Sequence, residues 1–186
     1  NNLALVLHDL GRYAEAEPLY RELVDARDGG SDPEGLSRGN LALLYADLGR
    51  LEESESLFRD VLAMRREAYG ADSEETADAL DELGMVETLR GEALHGRADI
   101  LDGLAMRRRL LGDDHRDVAR SLEHLATAEQ ALGAPALAER LARQALAMRV
   151  RLLGPAHAET AASHLALGLI LLDRGALDDA GVQLHR

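Results

Sequence analysis

Cysteine, lysine and tryptophan are absent from this chain, and only one phenylalanine and four tyrosines occur among its 186 residues. The lack of cysteine excludes disulfide bridges, thiolate zinc sites and thiol nucleophiles, and it suits a reducing compartment, so we expect the cytoplasm. Isoleucine occurs only twice, so residues that favour strands are scarce, whereas alanine and leucine, which favour helices, are abundant. The composition predicts an all-α fold.

Long apolar runs are also missing. None approaches the roughly 18 to 20 residues that span a membrane, and the first residues lack a signal-peptide pattern, so we expect a soluble chain without a membrane partner. The 34 acidic and 21 basic residues give a net charge of -13, which repels phosphate backbones and argues against a nucleic-acid partner. All basic residues are arginine, and this bias indicates a GC-rich, bacterial gene.

An internal repeat runs through the whole chain. Five glycines recur at intervals of 38, 42, 42 and 42 residues, and a leucine stands eight residues before each. These anchor glycines are Gly11, Gly49, Gly91, Gly133 and Gly175, and the anchor leucines are Leu3, Leu41, Leu83, Leu125 and Leu167. The sequence predicts a single array over 1–186, with repeats at about 1–35, 36–73, 74–115, 116–157 and, incomplete, 158–186.

Each repeat is predicted to form two helices, because its apolar residues follow the three-four spacing of a helix. The expected first helices are 1–10, 36–48, 74–90, 116–132 and 158–174, and the expected second helices are 13–27, 51–68, 93–110, 135–152 and 177–186. The anchor glycine would end each first helix in a left-handed turn, and Gly70, Gly112 and Gly154 would end second helices in the same way. Small residues beside the anchor leucines would let the two helices approach closely.

The repeats resemble a known family in the segments Asn2-Leu3-Ala4-Leu5, Leu10-Gly11-Arg12-Tyr13-Ala14-Glu15-Ala16 and Asn40-Leu41-Ala42-Leu43-Leu44-Tyr45. They are similar to the tetratricopeptide repeats of kinesin light chains and their bacterial relatives. The resemblance implies a right-handed α-solenoid of about four and a half helical hairpins, whose first helices line a concave, peptide-binding face. It implies no catalysis by the repeats. Such bacterial arrays often adjoin kinase, nucleotide-switch or regulatory domains, so function follows only in part from fold.

The resemblance places a groove on the first helices. Its candidate contacts are Asn40, Leu43, Asp78, Asp81, Glu82, Met85, Arg120, Glu123, His124 and Thr127. The same positions in the outer repeats add Leu36, Gly39, Ala162, Leu165, Ala166 and Leu169. The groove would run from apolar through acidic to mixed, which favours a protein or peptide with basic residues beside an apolar anchor. Plain solvated helix faces are the alternative.

Two further functions stay open. The chain could be the regulatory portion of a larger bacterial signalling protein, with a neighbouring domain in the groove. It could also be a structural array that self-associates through its ends, since neither end carries a polar cap. The uncapped ends favour a piece of a longer protein, or a piece whose ends another chain covers. A groove for a C-terminal carboxylate is disfavoured, because Asp81 and Glu123 would repel that ligand.

The remaining polar clusters are expected to serve structure. His115, His157 and Ser73 occupy equivalent loop positions and would cap the following helices, since residues a repeat apart cannot share a metal ion. Glu92 and His95 have the spacing of a di-iron ligand pair, but a di-iron site needs two such pairs. Neither a phosphate-binding loop nor a nucleophile motif occurs, so we expect no enzyme and no cofactor.

Charged residues in and near the loops are also expected to have structural roles. Asp28, Asp32 and Glu34 lie in a glycine-rich segment that is typical of a turn and lacks the ligand pattern of a calcium loop. Three arginines recur at the ends of second helices, where the helix dipole favours a cation; they are Arg65, Arg107 and Arg149.

Two repeats depart from the pattern. The loop 28–35 shortens the first interval, so the hairpins there could splay. In repeat three, Asp99 replaces a leucine, and Gly96 and Gly103 lie within a helix at about 1 kcal/mol each relative to alanine. We expect this repeat to be the loosest.

Overall fold

The computed structural model describes residues 2–27 and 35–185. This part of the chain is all-α, as predicted, with no strand. The first helices of the five repeats are α1 (Asn2–Asp9), α3 (Leu36–Asp47), α5 (Glu74–Leu89), α7 (Arg116–Ala131) and α9 (Ala158–Asp173). The second helices are α2 (Tyr13–Arg27), α4 (Leu51–Tyr69), α6 (Ala93–Leu111), α8 (Pro135–Leu153) and α10 (Leu177–Leu184). Asp28, Asp32 and Glu34 lie outside the described residues.

All five anchor glycines end a first helix as predicted. Their φ angles lie between 70° and 91°, a region that residues with a Cβ avoid. The glycine N–H bonds to the carbonyl three residues back, and the following N–H bonds to the carbonyl five residues back. In repeat two, for example, Gly49 bonds to Ala46 at 2.9 Å and Arg50 to Tyr45 at 2.8 Å. This Schellman pattern satisfies carbonyls that the helix end leaves open.

The glycines after second helices adopt another conformation. Gly70, Gly112 and Gly154 have φ near that of the anchor glycines, at 89°, 85° and 87°, but their ψ angles are 167°, 171° and 163°. This extended region with positive φ is open essentially to glycine alone. The left-handed turn predicted there is therefore wrong, although the need for glycine stands. The chain leaves the second helix extended and enters the next repeat.

The predicted helix caps are confirmed. His115 and His157 each accept the backbone N–H two residues ahead on Nδ1, at 3.3 and 3.2 Å. Ser73 accepts the N–H of Thr76 on its hydroxyl at 3.1 Å. These three side chains begin α5, α7 and α9, and each replaces one of the partners that a helix start lacks.

Small residues lie where the two helices of a hairpin cross. The residue after each anchor leucine and the residue five after each anchor glycine are buried in all five repeats; they are Ala4, Ala42, Gly84, Ala126, Gly168, Ala16, Ser54, Gly96, Ala138 and Ala180. Larger side chains fill the adjoining space, and Tyr20, Phe58 and Ile100 are at most 3% exposed. The anchor leucines of repeats two to five are also buried, whereas Leu3 is exposed.

The hairpin of repeat three has the closest helix crossing. A Cβ on Gly84 would lie 2.5 Å from the carbonyl oxygen of Gly96 and 2.8 Å from Cγ1 of Ile100. A Cβ on Gly96 would lie 2.9 Å from the Thr88 nitrogen, and one on Gly103 would lie 2.9 Å from a carbonyl oxygen of α5. These glycines therefore permit backbone contact between α5 and α6. Their low helix propensity alone predicted a loose third repeat, and the close packing at these glycines gives no support to that prediction.

The hairpins stack into an α-solenoid that curves around its first helices. Each second helix packs against the first helix of the next repeat, and α5 also contacts α7, as α7 contacts α9. No comparable contact joins α6 to α8 in the described residues. From α5 to α9, first helices therefore approach one another more closely than second helices do, which places them on the concave side. None of the described helices is both long and apolar enough to cross a membrane.

Replacing Gly96 by alanine should destabilise the chain, although alanine is the better helix former. The added Cβ cannot be accommodated unless α5 and α6 separate, and overpacking of this kind costs about 1 to 3 kcal/mol. Gly39→Ala is the matched control, because Gly39 also lies within a helix but has no atom within 4 Å of its Cβ position. Gly39→Ala should stabilise by about 0.5 to 1 kcal/mol. Urea unfolding of both variants measures this, and stabilisation by both would contradict the packing argument.

Candidate functional site

The predicted groove residues lie on α3, α5, α7 and α9. One row contains equivalent positions of successive first helices and is made of Leu43, Met85, Thr127 and Leu169; all four are partly or fully exposed. A second row contains Asn40, Glu82, His124 and Ala166, which are partly buried. Because the first helices line the concave side, these two rows form the surface that a ligand in the groove would meet.

Asp81 lies behind this surface, in a buried ion network between α5, α6 and α7. Its side chain is 0% exposed, and its Oδ2 atom accepts a hydrogen bond from Arg107 Nη1 at 2.8 Å. Nδ1 of His124 lies 3.0 Å from the same oxygen. Arg107 is 2% exposed and also donates to Ser121 Oγ at 2.5 Å and to the carbonyl of Asp117 at 3.2 Å. Asp81 therefore joins α5 to both neighbouring helices.

The charges in this network fix its protonation. Burial opposes ionisation of Asp81, but His124 and Arg107 outweigh it and lower the Asp81 pKa to about 2. Burial likewise opposes the charged form of His124, yet the attraction of Asp81 prevails and raises the His124 pKa above its usual value. Near neutral pH the network thus holds an ionised carboxylate against cations.

Arg120 compensates two more of the predicted groove acids. It forms an ion pair with Asp78, and its Nη1 lies 3.6 Å from Oε1 of Glu82. Asp78 also accepts hydrogen bonds from Arg65 at 2.7 Å and from Arg107 at 3.1 Å. Burial opposes ionisation of Asp78, but these arginines lower its pKa. For Glu82, burial prevails over Arg120 and His124 and raises the pKa.

Repeat four contains an equivalent ion network, centred on Glu123. Arg149 donates to Glu123 at 2.6 Å and to Ser163 Oγ at 2.8 Å, and Ser163 donates to Glu123. In this way Glu123 is tied to α8 and α9, as Asp81 is tied to α6 and α7. The predicted acidic stretch of the groove is thus an ion network that links successive repeats, with arginines supplying the counter-charge.

The three recurring arginines also form hydrogen bonds to the next repeat. Each donates from Nη1 to the backbone carbonyl ten residues ahead, in the following first helix; the distances are 3.1, 3.2 and 3.2 Å for Arg65, Arg107 and Arg149. Helix-dipole stabilisation, the role expected from the sequence, is therefore an incomplete account. The signal that was missed is Ser121 and Ser163, which recur 42 residues apart and meet Arg107 and Arg149.

A cavity of about 470 Å³ opens between α7 and α9 on the concave side. Its walls combine predicted groove residues with polar residues at the rim; they are Glu123, His124, Thr127, Ala166, Leu169, Gln130 and Asp173. Its floor is apolar and is formed by Ala126, Ala142 and Ile170. The apolar floor and polar rim suit an apolar part of a ligand whose backbone runs along the groove. Asn40 and Leu43 lie two repeats away and do not line it.

The clusters set aside in the sequence carry no evident chemistry. His95 Nδ1 lies 3.5 Å from Oε2 of Glu92, within one helix start. His115 and His157 are engaged in capping α7 and α9. No group of three or more His, Asp or Glu side chains among residues 2–27 and 35–185 could hold a metal ion.

Comparisons with known proteins identify the repeat. The description "Tetratricopeptide repeat" matches residues 34–95, and a second description of that repeat matches 1–27, 76–117 and 118–159. A search of curated proteins gave no match. BtubC (BKLC) from P. vanneervenii is 23% identical, with a TM-score of 0.74 over 99% of this chain and 75% of that one.

Two further solved structures share the fold. The nearly identical TPR-like repeats of a kinesin light chain from Podosopora anserina are 22% identical, with a TM-score of 0.74 over 99% of this chain and 89% of that one. A Rap protein in complex with competence and sporulation factor is 13% identical, with a TM-score of 0.83 over 97% of this chain and 49% of that one. At these identities the likeness concerns the fold.

Removing the charge of Arg107 should strongly destabilise the array. Arg107→Met keeps an unbranched apolar chain in place of the arginine's methylene stem but removes the guanidinium, which leaves Asp81 buried without its main hydrogen-bond donor and costs about 3 to 5 kcal/mol. Arg12→Met is the control, because the ion pair of Arg12 with Glu15 is exposed and such pairs contribute little. Chemical unfolding compares the two variants, and equal losses would mean that the buried network is unimportant for stability.

Raising the pH should weaken the contribution of His124 to stability. The pKa of His124 is higher in the folded chain than in the unfolded chain. Its protonation therefore stabilises fully below about pH 6.5, and the contribution is lost as pH rises through the folded pKa. The difference in free energy of unfolding between the natural chain and His124→Gln should shrink from pH 6 to pH 9. A constant difference would show that His124 does not titrate in contact with Asp81.

Proposed function

The chain belongs to the tetratricopeptide repeat family, and we propose that it binds a peptide or an extended protein segment in the concave groove of its first helices. The family membership supports protein–protein interaction in general. The cavity between α7 and α9 is the observation that carries the specific proposal. It is the place where the concave face offers both an apolar floor and a polar rim, the combination that fixes and orients a side chain.

The ligand we propose has an apolar anchor flanked by basic residues. The anchor would enter the cavity and contact Leu169, Ala166 and Thr127. Basic residues would be favoured by the net charge of -13, which attracts cations over about a Debye length. Local acid contacts are the weaker support, because Asp78, Asp81 and Glu123 already have arginine partners.

The groove residues have two roles in this proposal. Leu43, Met85, Thr127 and Leu169 present side chains to the ligand. Asp81 is out of its reach and positions Arg107 and His124. The array acts as a scaffold without catalysis or cofactor, and we expect it in a bacterial cytoplasm, without nucleic-acid or membrane partners.

A second candidate is the regulatory portion of a larger bacterial signalling protein. The Rap protein supports it in one respect: the chain matches 49% of that longer protein, which was solved with competence and sporulation factor. In such a protein, a segment of the same polypeptide or a small factor would occupy the groove. The geometry of the cavity serves either source of ligand.

A charge introduced to test the groove needs a position that is not part of the ion network. Leu169→Arg places a cation at the mouth of the cavity, and the leucine it replaces is 51% exposed, so the fold should persist. The matched control is Leu101→Arg on the second helix α6, where the leucine is 44% exposed. Circular dichroism checks both folds first.

Two capped octapeptides serve as probes, one alternating leucine with arginine and one alternating leucine with glutamine. Leu169→Arg should weaken both by about tenfold or more, which is about 1.4 kcal/mol, in fluorescence anisotropy titrations. Leu101→Arg should leave both nearly unchanged. Salt should weaken the arginine peptide more than the glutamine peptide. Equal losses with both variants would reject the groove, and concentration-dependent oligomers without peptide binding would favour a self-assembling array.

A further inference from the structure

His124 stands between the buried ion network and the groove cavity. Its Nδ1 atom lies 3.0 Å from Oδ2 of Asp81 on one side, and its ring lines the cavity between α7 and α9 on the other. The side chain is 19% exposed. Nδ1 is buried and, although close to Asp81, has no well-aligned hydrogen bond, whereas Nε2 has no hydrogen-bond partner among the described residues and is not one of their buried atoms that lack one. One ring nitrogen is therefore buried beside the Asp81 carboxylate, and the other reaches the surface, where a ligand could meet it.

The contact with Asp81 determines where the ring carries its protons. The ionised Asp81 carboxylate, 3.0 Å from Nδ1, favours a proton on Nδ1, because its negative charge attracts an N–H and repels a nitrogen lone pair. The cationic ring then has a second N–H, on Nε2. When the ring loses one proton, Nδ1 keeps its own for Asp81, and Nε2 becomes an acceptor. Deprotonation thus converts the polar atom next to the cavity from a donor to an acceptor.

The charges around His124 come from four helices. From α5, Asp81 and Glu82 favour the cation. Arg120 on α7 opposes it. Glu123 on α7 and Asp173 on α9 line the same cavity, and Arg107 on α6 shares Asp81. Burial also opposes the cation, yet the acids prevail and raise the His124 pKa.

We propose that His124 is a proton-linked contact of the groove, whose Nε2–H donates a hydrogen bond to a backbone carbonyl of the bound peptide. The proposal rests on the proposed function, since it concerns a ligand in the same cavity. A carbonyl is the acceptor that fits, because a ligand carboxylate would be repelled by Glu123 and Asp173. Above the pKa of His124 the carbonyl would face a lone pair instead of a proton, so peptide and proton must bind together.

The leucine–glutamine octapeptide tests this, because it carries no charge at any pH used. Its affinity for the natural chain should fall about tenfold from pH 6 to pH 9, the loss expected for a hydrogen bond to a charged group. His124→Gln keeps an uncharged N–H donor, so its affinity should be nearly independent of pH. His124→Leu should be weaker at pH 6 and equally insensitive. Nitrogen-15 chemical shifts of the His124 ring should show protons on both nitrogens at pH 6.

The outcomes separate the two proposals. Equal pH dependence in the natural chain and His124→Gln would overturn the proton link, while the cavity would stand if Leu169→Arg still weakens the peptide. A His124 ring with one proton at pH 6 would overturn the link regardless of binding. No binding of either octapeptide at either pH would reject the proposed groove and, with it, the role of His124.

Discussion

Close approach of two helices at a small residue is the constraint on which this array depends. Each hairpin can bring its backbones together only where alanine, serine or glycine stands at the crossing, and the Gly84–Gly96 contact is the extreme case. The close crossing leaves room for one large residue beside it, such as Phe58 or Ile100. Neither helix could bury that residue alone, so each hairpin completes its core against the next, as in other repeat arrays.

Buried arginines connect successive repeats of this stack through ion pairs and hydrogen bonds. Arg107 and Arg149 are nearly buried, and each serves a carboxylate of its own repeat, a serine of the next repeat and a backbone carbonyl. Arginine suits this duty because its guanidinium offers five donors in a fixed plane, whereas an ammonium group is a compact point charge. The same bonds draw α5, α7 and α9 together on one side, which is consistent with the curvature. Groove shape and groove charge therefore come from one set of contacts.

The fold could be predicted from the sequence because its signals recur with a fixed spacing. A glycine that ends a helix in one repeat is confirmed by its equivalents 42 residues on, and the helix bounds followed to within two residues. Roles that need a second atom in space could not be predicted in this way. From sequence alone Gly96 was expected to destabilise its helix, whereas the structure shows that it allows close contact with α5. Gly112 has an extended ψ angle that the repeat spacing does not predict.

The groove residues are a second case in which sequence spacing could not predict the role of a side chain. Asp81 has the register of a ligand contact and the environment of a buried structural ion, and only its distance to Arg107 separates the two. Periodicity predicts which helix face a residue lies on, but neighbouring side chains decide whether it reaches the surface.

Because the acids of the ion network are engaged by arginines, they contribute little to ligand recognition in the proposed groove. Three acids of α5 and three arginines form an ionic belt across α4 to α7; they are Asp78, Asp81, Glu82, Arg65, Arg107 and Arg120. Because the two signs are equal in number, the belt offers little net charge to a ligand at close range. Apolar residues of the concave row lie on either side of this belt: Leu43 is on α3 and Leu169 is on α9. In the proposed groove, selectivity would then depend on the fit of an apolar side chain at α7–α9 and on the polar atom beside it. His124 is the groove residue that meets both requirements, since its Nδ1 lies beside Asp81 of the buried ion network and the residue itself lines the cavity.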